Sequence, residues 1–145
     1  MSKPKPDHED AELLLRVYDL RREALLRQAR ETLRTEFWPK SAQDAVAVTR
    51  GDHPLNGAYR QVGSYWEMVY AMVRHGIVNA GFFLEGNLEG LFLFAKVEAY
   101  VEDMRKATTP LAFRNAEWVA KECPEGRQFF EVLRARVLKL YEARG

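Results

Sequence analysis

The chain has 145 residues, 47% of them hydrophobic and 30% charged, and its 22 basic and 21 acidic side chains leave a formal net charge of +1. That length fits one domain with enough chain to bury a real core. The near balance of charge argues against a dedicated nucleic-acid binder, which depends on strong attraction to phosphates.

A single cysteine, Cys123, allows no intramolecular disulfide and suits a reducing compartment. The opening Met1-Ser2-Lys3-Pro4-Lys5-Pro6-Asp7 has no apolar core and does not read as a signal peptide. No stretch approaches the roughly 20 apolar residues of a membrane-spanning helix. The expected location is the cytoplasm, with no membrane and no nucleic-acid partner. Residues 1–6 are expected to form a flexible tail, and residues 7–145 a single domain.

Asp7 opens the first predicted helix as N-cap, with Glu9, Asp10 and Glu12 in its first turns. Leu14, Tyr18, Leu25, Ala29 and Leu33 form one apolar stripe, and Leu13, Val17, Leu20 and Ala24 a second beside it, so the helix runs to Phe37 with a wide buried face. Trp38-Pro39 stops it, because the residue before proline disfavours helical geometry. Ser41 caps a short helix through Val48. Asp52-His53-Pro54 opens a third, which runs through Tyr59, Val62, Trp66, Val69 and Val73 to the stop at His75-Gly76.

Asn79 caps the next segment. Gly81, Gly86 and Gly90 weaken or kink its start, and Leu91 to Met104 is predicted as firm helix. Thr109 caps a fifth helix with Pro110 in its first turn and Ala112, Ala116, Val119 and Cys123 on one face. Pro124 ends that helix and opens a sixth, striped by Phe130, Leu133, Val137, Leu140 and Tyr141. No segment alternates apolar and polar residues as a strand would. The expected architecture is all-α, a single-domain antiparallel bundle of about six helices joined by short connections. The third and fourth helices carry few charges and are expected to form its central hairpin.

No catalytic motif stands out. A di-iron bundle needs paired Glu-x-x-His units, and none of His8, His53 and His75 follows a glutamate by three residues. Zinc needs clustered Cys and His, which one cysteine does not supply. Cys123 reads as a small buried hydrophobe rather than a nucleophile. The glycine spacing fits no phosphate cradle. No metal and no cofactor are expected. Arg21, Arg22, Arg27, Arg30 and Arg34 form the densest basic cluster, and interleaved Glu23, Glu31 and Glu36 make it a solvated helix face by default, with an anion surface as the alternative.

Two charges stand inside the apolar, aromatic middle of the chain: Glu67 between Trp66 and Met68, and Lys96 between Ala95 and Val97. Buried charge is costly unless paired. Glu67 is therefore expected to meet Arg60, Lys96 or a tyrosine hydroxyl. The functional alternative makes it the polar anchor of an aromatic pocket, with Tyr65, Trp66, Tyr70, Arg74 and His75 as the other candidate ligand-binding residues.

The run Ser64-Tyr65-Trp66-Glu67, followed by His75-Gly76-Ile77-Val78-Asn79, resembles the central signature of an uncharacterised family of bacterial all-helical domains. In that family an Asn-Tyr-Phe-Glu-like tetrapeptide precedes a Gly-x-Ile-Asp-like turn. The stretch from Leu15 to Glu23 is similar to its leading segment. Ser64 stands where the pattern prefers an amide, and nothing here matches the membrane helix of some members. The resemblance covers most of the chain and implies an α-helical fold with no known activity. The leading expectation is a non-enzymatic interaction protein that self-associates, as a homodimer or higher oligomer, through its aromatic hairpin. The alternative is a small-ligand sensor with a pocket around Trp66, Glu67 and Tyr70.

Overall fold

The computed structural model describes residues 3–145. Among the described residues there is no strand, and the elements in order are α1 (His8–Arg21), α2 (Ala24–Glu36), α3 (Ala42–Ala47), α4 (Asn56–Arg74), α5 (Ala80–Glu85), α6 (Glu89–Val97), a 3-10 turn (Glu98–Tyr100), α7 (Val101–Ala107), α8 (Arg114–Lys121) and α9 (Pro124–Arg144). The fold is all-α, as the periodicity predicts. The six expected segments become nine helices among the described residues because two of them are broken.

The first break falls at Arg22-Glu23. Glu23 leaves helical geometry with φ −56° and ψ 140°, and its carboxylate accepts the backbone N–H of Leu26 at 2.9 Å, so it caps α2 instead of continuing α1. Tertiary bonds hold the corner. The Arg21 guanidinium donates to Asn87 Oδ1 at 2.6 Å and to the Gly86 carbonyl at 3.0 Å, while Arg30 donates to the Arg21 carbonyl at 3.2 Å. None of these distant partners is visible in a helical wheel.

The segment after Asn79 breaks twice. It stops at Gly86 and restarts at Glu89, and the 3-10 turn then interrupts the stretch expected to be firm helix up to Met104. That turn redirects α7 onto α3, and both α7 and the turn pack there. The fifth helix begins later than expected. Thr109 Oγ1 accepts from the Leu111 N–H at 3.3 Å and caps a turn, and α8 starts only at Arg114. Between them Phe113 adopts a left-handed φ of 58°. Such a conformation costs energy in a non-glycine residue and persists where packing over-determines it. Here the ring is buried, 6.2 Å from Tyr59 and 6.0 Å from Phe94 between centroids.

The third helix also starts later than Asp52-His53-Pro54 suggests, at Asn56, because those residues form a turn in which His53 Nδ1 accepts the Leu55 N–H at 3.0 Å; the remaining caps and stops are found where expected. Asp7 accepts from the Asp10 N–H at 3.1 Å and Asp10 accepts from the Asp7 N–H at 2.9 Å, a reciprocal capping box. Ser41 caps α3, Asn79 caps α5, and Pro124 occupies the first turn of α9. Gly76 ends α4 with φ 73°, where a side chain would be strained. The expected tail partly falls on residues 1 and 2, which lie outside the described residues. Lys3 is tied down: its ammonium meets Asp7 at 2.8 Å and Asp10 at 3.3 Å, and its carbonyl accepts from Asn79 Nδ2 at 2.8 Å.

The core is built on α4 and α6. Val62, Trp66, Val69, Tyr70 and Val73 of α4 are buried, as are Leu91, Phe94 and Val97 of α6. Fully burying one such apolar side chain contributes about 1.5–3 kcal/mol. The two helices are central but do not pair as a tight hairpin. α4 packs chiefly on α2 and α8, and α6 chiefly on α9 and α8. They meet at the start of α6: a Cβ at Gly90 would stand 2.6 Å from the Tyr70 ring, so glycine is what lets α6 begin against that ring.

Candidate functional site

The six residues singled out in the sequence divide into three groups. Tyr65, Trp66 and Tyr70 are core, 7%, 2% and 0% exposed. Their rings meet along α4, edge-on for Tyr65–Trp66 with centroids 5.0 Å apart and tilted for Trp66–Tyr70 at 5.4 Å. Their polar tips are all committed. The Tyr65 hydroxyl donates to the Val17 carbonyl at 2.5 Å, and Trp66 Nε1 donates to Glu89 at 3.1 Å. The Tyr70 hydroxyl donates to the Asn87 carbonyl at 2.8 Å and accepts from the Leu91 N–H at 2.9 Å. Burial pushes the Tyr70 phenol far above its ordinary range. Packed side chains therefore fill the space beside Trp66 and Tyr70, whereas Glu67 lines a small cleft of about 180 Å³ with Tyr59, Arg60 and Phe113.

Glu67 has a different partner from those predicted. It meets neither Arg60, nor Lys96, nor a tyrosine hydroxyl. Its two carboxylate oxygens accept the backbone N–H groups of Asn115 and Ala116, each at 2.9 Å, and Asn115 Nδ2 returns a bond to the Glu67 carbonyl at 3.0 Å. The first N–H groups of a helix have no partner inside it and carry the positive end of its dipole. Glu67 thus caps α8 from α4. The left-handed turn at Phe113 immediately precedes these two amides. Burial pushes the Glu67 carboxyl upward, against the opposing pull of the two amides and the more distant Arg105 and Arg74. Arg74 belongs to the same junction, donating to Asn115 Oδ1 at 3.3 Å, whereas His75 is exposed at the end of α4.

Cys123 is 2% exposed, and burial pushes its thiol up, away from the reactive thiolate. Among the described residues no group of three His, Cys, Asp or Glu side chains could hold a metal ion, and no helix is long and apolar enough to cross a membrane.

A groove of about 540 Å³ lies elsewhere, between α2, α6 and α9. Its apolar lining includes Leu33, Val62, Leu88, Phe92, Leu93 and Leu133. Trp38 stands at its side, edge-on to Phe92 at 6.2 Å and to Tyr141 at 5.1 Å, with Nε1 donating to the Arg34 carbonyl at 3.0 Å. None of the six residues chosen from the sequence lines it.

Lys96 sits on this groove and is only 4% exposed. Its ammonium donates to the carbonyls of Leu33 at 3.1 Å and Phe37 at 2.8 Å, at the C-terminal end of α2. It also lies 4.3 Å from the Trp38 ring centroid and 5.6 Å from those of Phe37 and Phe92. Carbonyls and aromatic faces favour the cation. Burial, followed by the nearby Arg144 charge, pulls its pKa down to about 7. The groove's one acidic residue, Glu89, is held by Arg30 at 2.8 and 3.1 Å and by Trp66 at 3.1 Å.

The sequence drew attention to arginines on the first predicted helix. Arg30 and Arg34 do reach the groove, joined by Arg136 and Arg144 from the far end of the chain. The charges of the last helix spread around a wheel without forming a cluster, so no local signal marked that pair. No curated protein and no solved structure matches the chain. Residues 6–123 match the model of the family described as a domain of unknown function, DUF4760, a match that runs from the start of the fold to the residue before α9, and the chain belongs to that family.

Proposed function

We propose that the chain is a non-catalytic ligand-binding module whose site is the groove between α2, α6 and α9. The observation that supports this reading is a concave, largely apolar surface of about 540 Å³ with a few polar groups at its edge. Small-ligand sites have that make-up and span roughly 300–1,000 Å³. The groups that could do chemistry there are already engaged: the one carboxylate in the groove is bonded to Arg30 and Trp66, the Lys96 ammonium donates to the Leu33 and Phe37 carbonyls, and the thiol of Cys123 is buried away from solvent.

Self-association through the aromatic hairpin has less support. Trp66, Tyr70, Phe83 and Phe94 are all buried inside one chain. Phe82 and Phe92 of the hairpin are half-buried, while its most exposed large apolar side chains are Met68 and Ile77, 51% and 53% exposed.

Titration with a neutral apolar fluorophore such as Nile red tests the groove. The expected result is saturable, enhanced emission that is lost in Leu133→Glu and in Leu140→Glu, each with native circular dichroism. No saturable emission from the folded protein, or emission unchanged in both variants, would remove the proposal.

A further inference from the structure

Resting on that groove as the binding site, we infer that its ligand is a small amphipathic anion, a carboxylate head on an apolar body, with the head held by Arg136 and Arg144. The inference follows from an accounting of the charges on the groove. Five cationic side chains line it, Arg30, Arg34, Lys96, Arg136 and Arg144, against the single acid Glu89. Two of the five are already neutralised. Arg30 is paired with Glu89 at 2.8 Å, and Arg34 with Glu31 at 2.6 Å.

The other three have no carboxylate within ion-pair reach among the described residues. Lys96 meets only the Leu33 and Phe37 carbonyls and ring faces. The Arg144 guanidinium stands over Trp38, 4.6 Å from its ring centroid, and its one hydrogen bond is a 3.3 Å contact to the Thr35 carbonyl. Arg136 is exposed beside the groove. Lys96 is taken up by the α2 carbonyls, which leaves Arg136 and Arg144 as the uncompensated cations beside one apolar surface.

A guanidinium presents a planar fork of donors that matches a carboxylate, and such charge-assisted bonds are stronger than neutral ones. A cationic ligand meets the opposite situation, since Glu89 is already neutralised by Arg30 and the guanidiniums of Arg136 and Arg144 repel it. A neutral apolar ligand fills the floor but leaves the head-group donors in water. A polyanion without an apolar body forgoes Leu93, Phe92 and Leu133. The combination selects an amphiphile with one anionic end.

The two guanidiniums also fix polarity. Arg136 and Arg144 are both on α9, and Leu133 and Leu140 of the same helix line the groove beside them. A bound molecule therefore keeps its head on the α9 side and lays its body toward Phe92 and Leu93 of α6.

The test compares three probes of equal tail length, decanoate, decanol and decylammonium, by titration calorimetry below their aggregation concentrations. Decanoate is expected to bind about tenfold or more tightly than decanol, a difference of about 1.4 kcal/mol, with decylammonium weakest. The double variant Arg136→Ala/Arg144→Ala is expected to lose about that factor for decanoate and to leave decanol unchanged, with an unaltered melting temperature as the folding control.

If decanoate and decanol bind alike, the groove stands as a site and the anionic class is overturned. If decanoate is preferred but the double variant keeps the preference, the assignment of the head to these two arginines is overturned. If none of the three binds, the groove itself fails along with the inference.

Discussion

Half-buried Glu67 and buried Lys96 do complementary work at opposite ends of helices, and their surroundings differ. Glu67 brings a carboxylate to the N-terminal amides of α8, and Lys96 brings an ammonium to the C-terminal carbonyls of α2. Each sign sits where a helix dipole favours it. The Glu67 junction is fully bonded, with only a small cleft beside it: both oxygens, the neighbouring amide of Asn115 and the Arg74 guanidinium are all bonded to one another or to backbone. The Lys96 region is open, with a groove beside it and cations left over. A charge fully consumed by a helix end is architecture, whereas a surplus of one sign around a cavity is capacity for a ligand.

The comparison breaks most readily at Glu67. Glu67→Ala leaves two helix-terminal amides unsatisfied in a half-buried junction and is expected to cost about 2–4 kcal/mol in denaturant unfolding. Glu67→Gln keeps one acceptor and is expected to cost about half as much. A loss below about 0.5 kcal/mol for Ala would mean that water takes over the cap.

A pH series on Lys96→Met sharpens the other side. The folded-state pKa of Lys96 is lowered from 10.5 to about 7, chiefly by burial. Between those values the unfolded chain binds more protons at this position than the folded one, so this residue makes stability rise with pH across that window. The difference in unfolding free energy, native chain minus Lys96→Met, is expected to become more favourable by about 1–3 kcal/mol from pH 7 to pH 10. A flat difference would show that the carbonyls and rings hold the ammonium charged throughout.

Smaller effects separate the remaining members of each region. Asn115→Ala removes the returning bond to the Glu67 carbonyl and is expected to cost about 1 kcal/mol in the same unfolding assay. Arg136→Ala touches no ion pair and is expected to change stability by less than about 0.5 kcal/mol. A large loss at Arg136 would place it in the architecture and weaken its assignment to a ligand.

Local chemistry made much of this fold legible. The Asp7, Ser41 and Asn79 caps, the Gly76 stop and the Pro124 start each depend on one side chain and its immediate neighbours, and each stands where the sequence puts it. The break at Glu23 was hidden because a glutamate inside a charged helical stretch looks like one half of a pair with Arg27. Its escape from the helix is held by Asn87 and Gly86, more than sixty residues away. The late start of α8 was hidden for a related reason. Thr109-Pro110 carries a good start signal, but the buried ring of Phe113 imposes a turn that aims the helix end at Glu67.

The groove was the least legible part. Its walls come from residues about a hundred positions apart, and its open cations, Arg136 and Arg144, sit in an ordinary amphipathic helix. The aromatic run around Trp66 drew attention instead, yet aromatic density by itself marks burial, and here the rings and their polar tips are satisfied within the core.

Periodicity, capping residues and the scarcity of strand patterns determined, without any tertiary information, that this chain would be helical and where most helices would start and stop, because those signals act over a few residues. Which charge met which helix end, where two helices broke, and which apolar surface stayed concave were decided only when distant segments packed. Hydrogen-bond partners and cavity walls are relations between parts of the chain, and a linear pattern does not contain them.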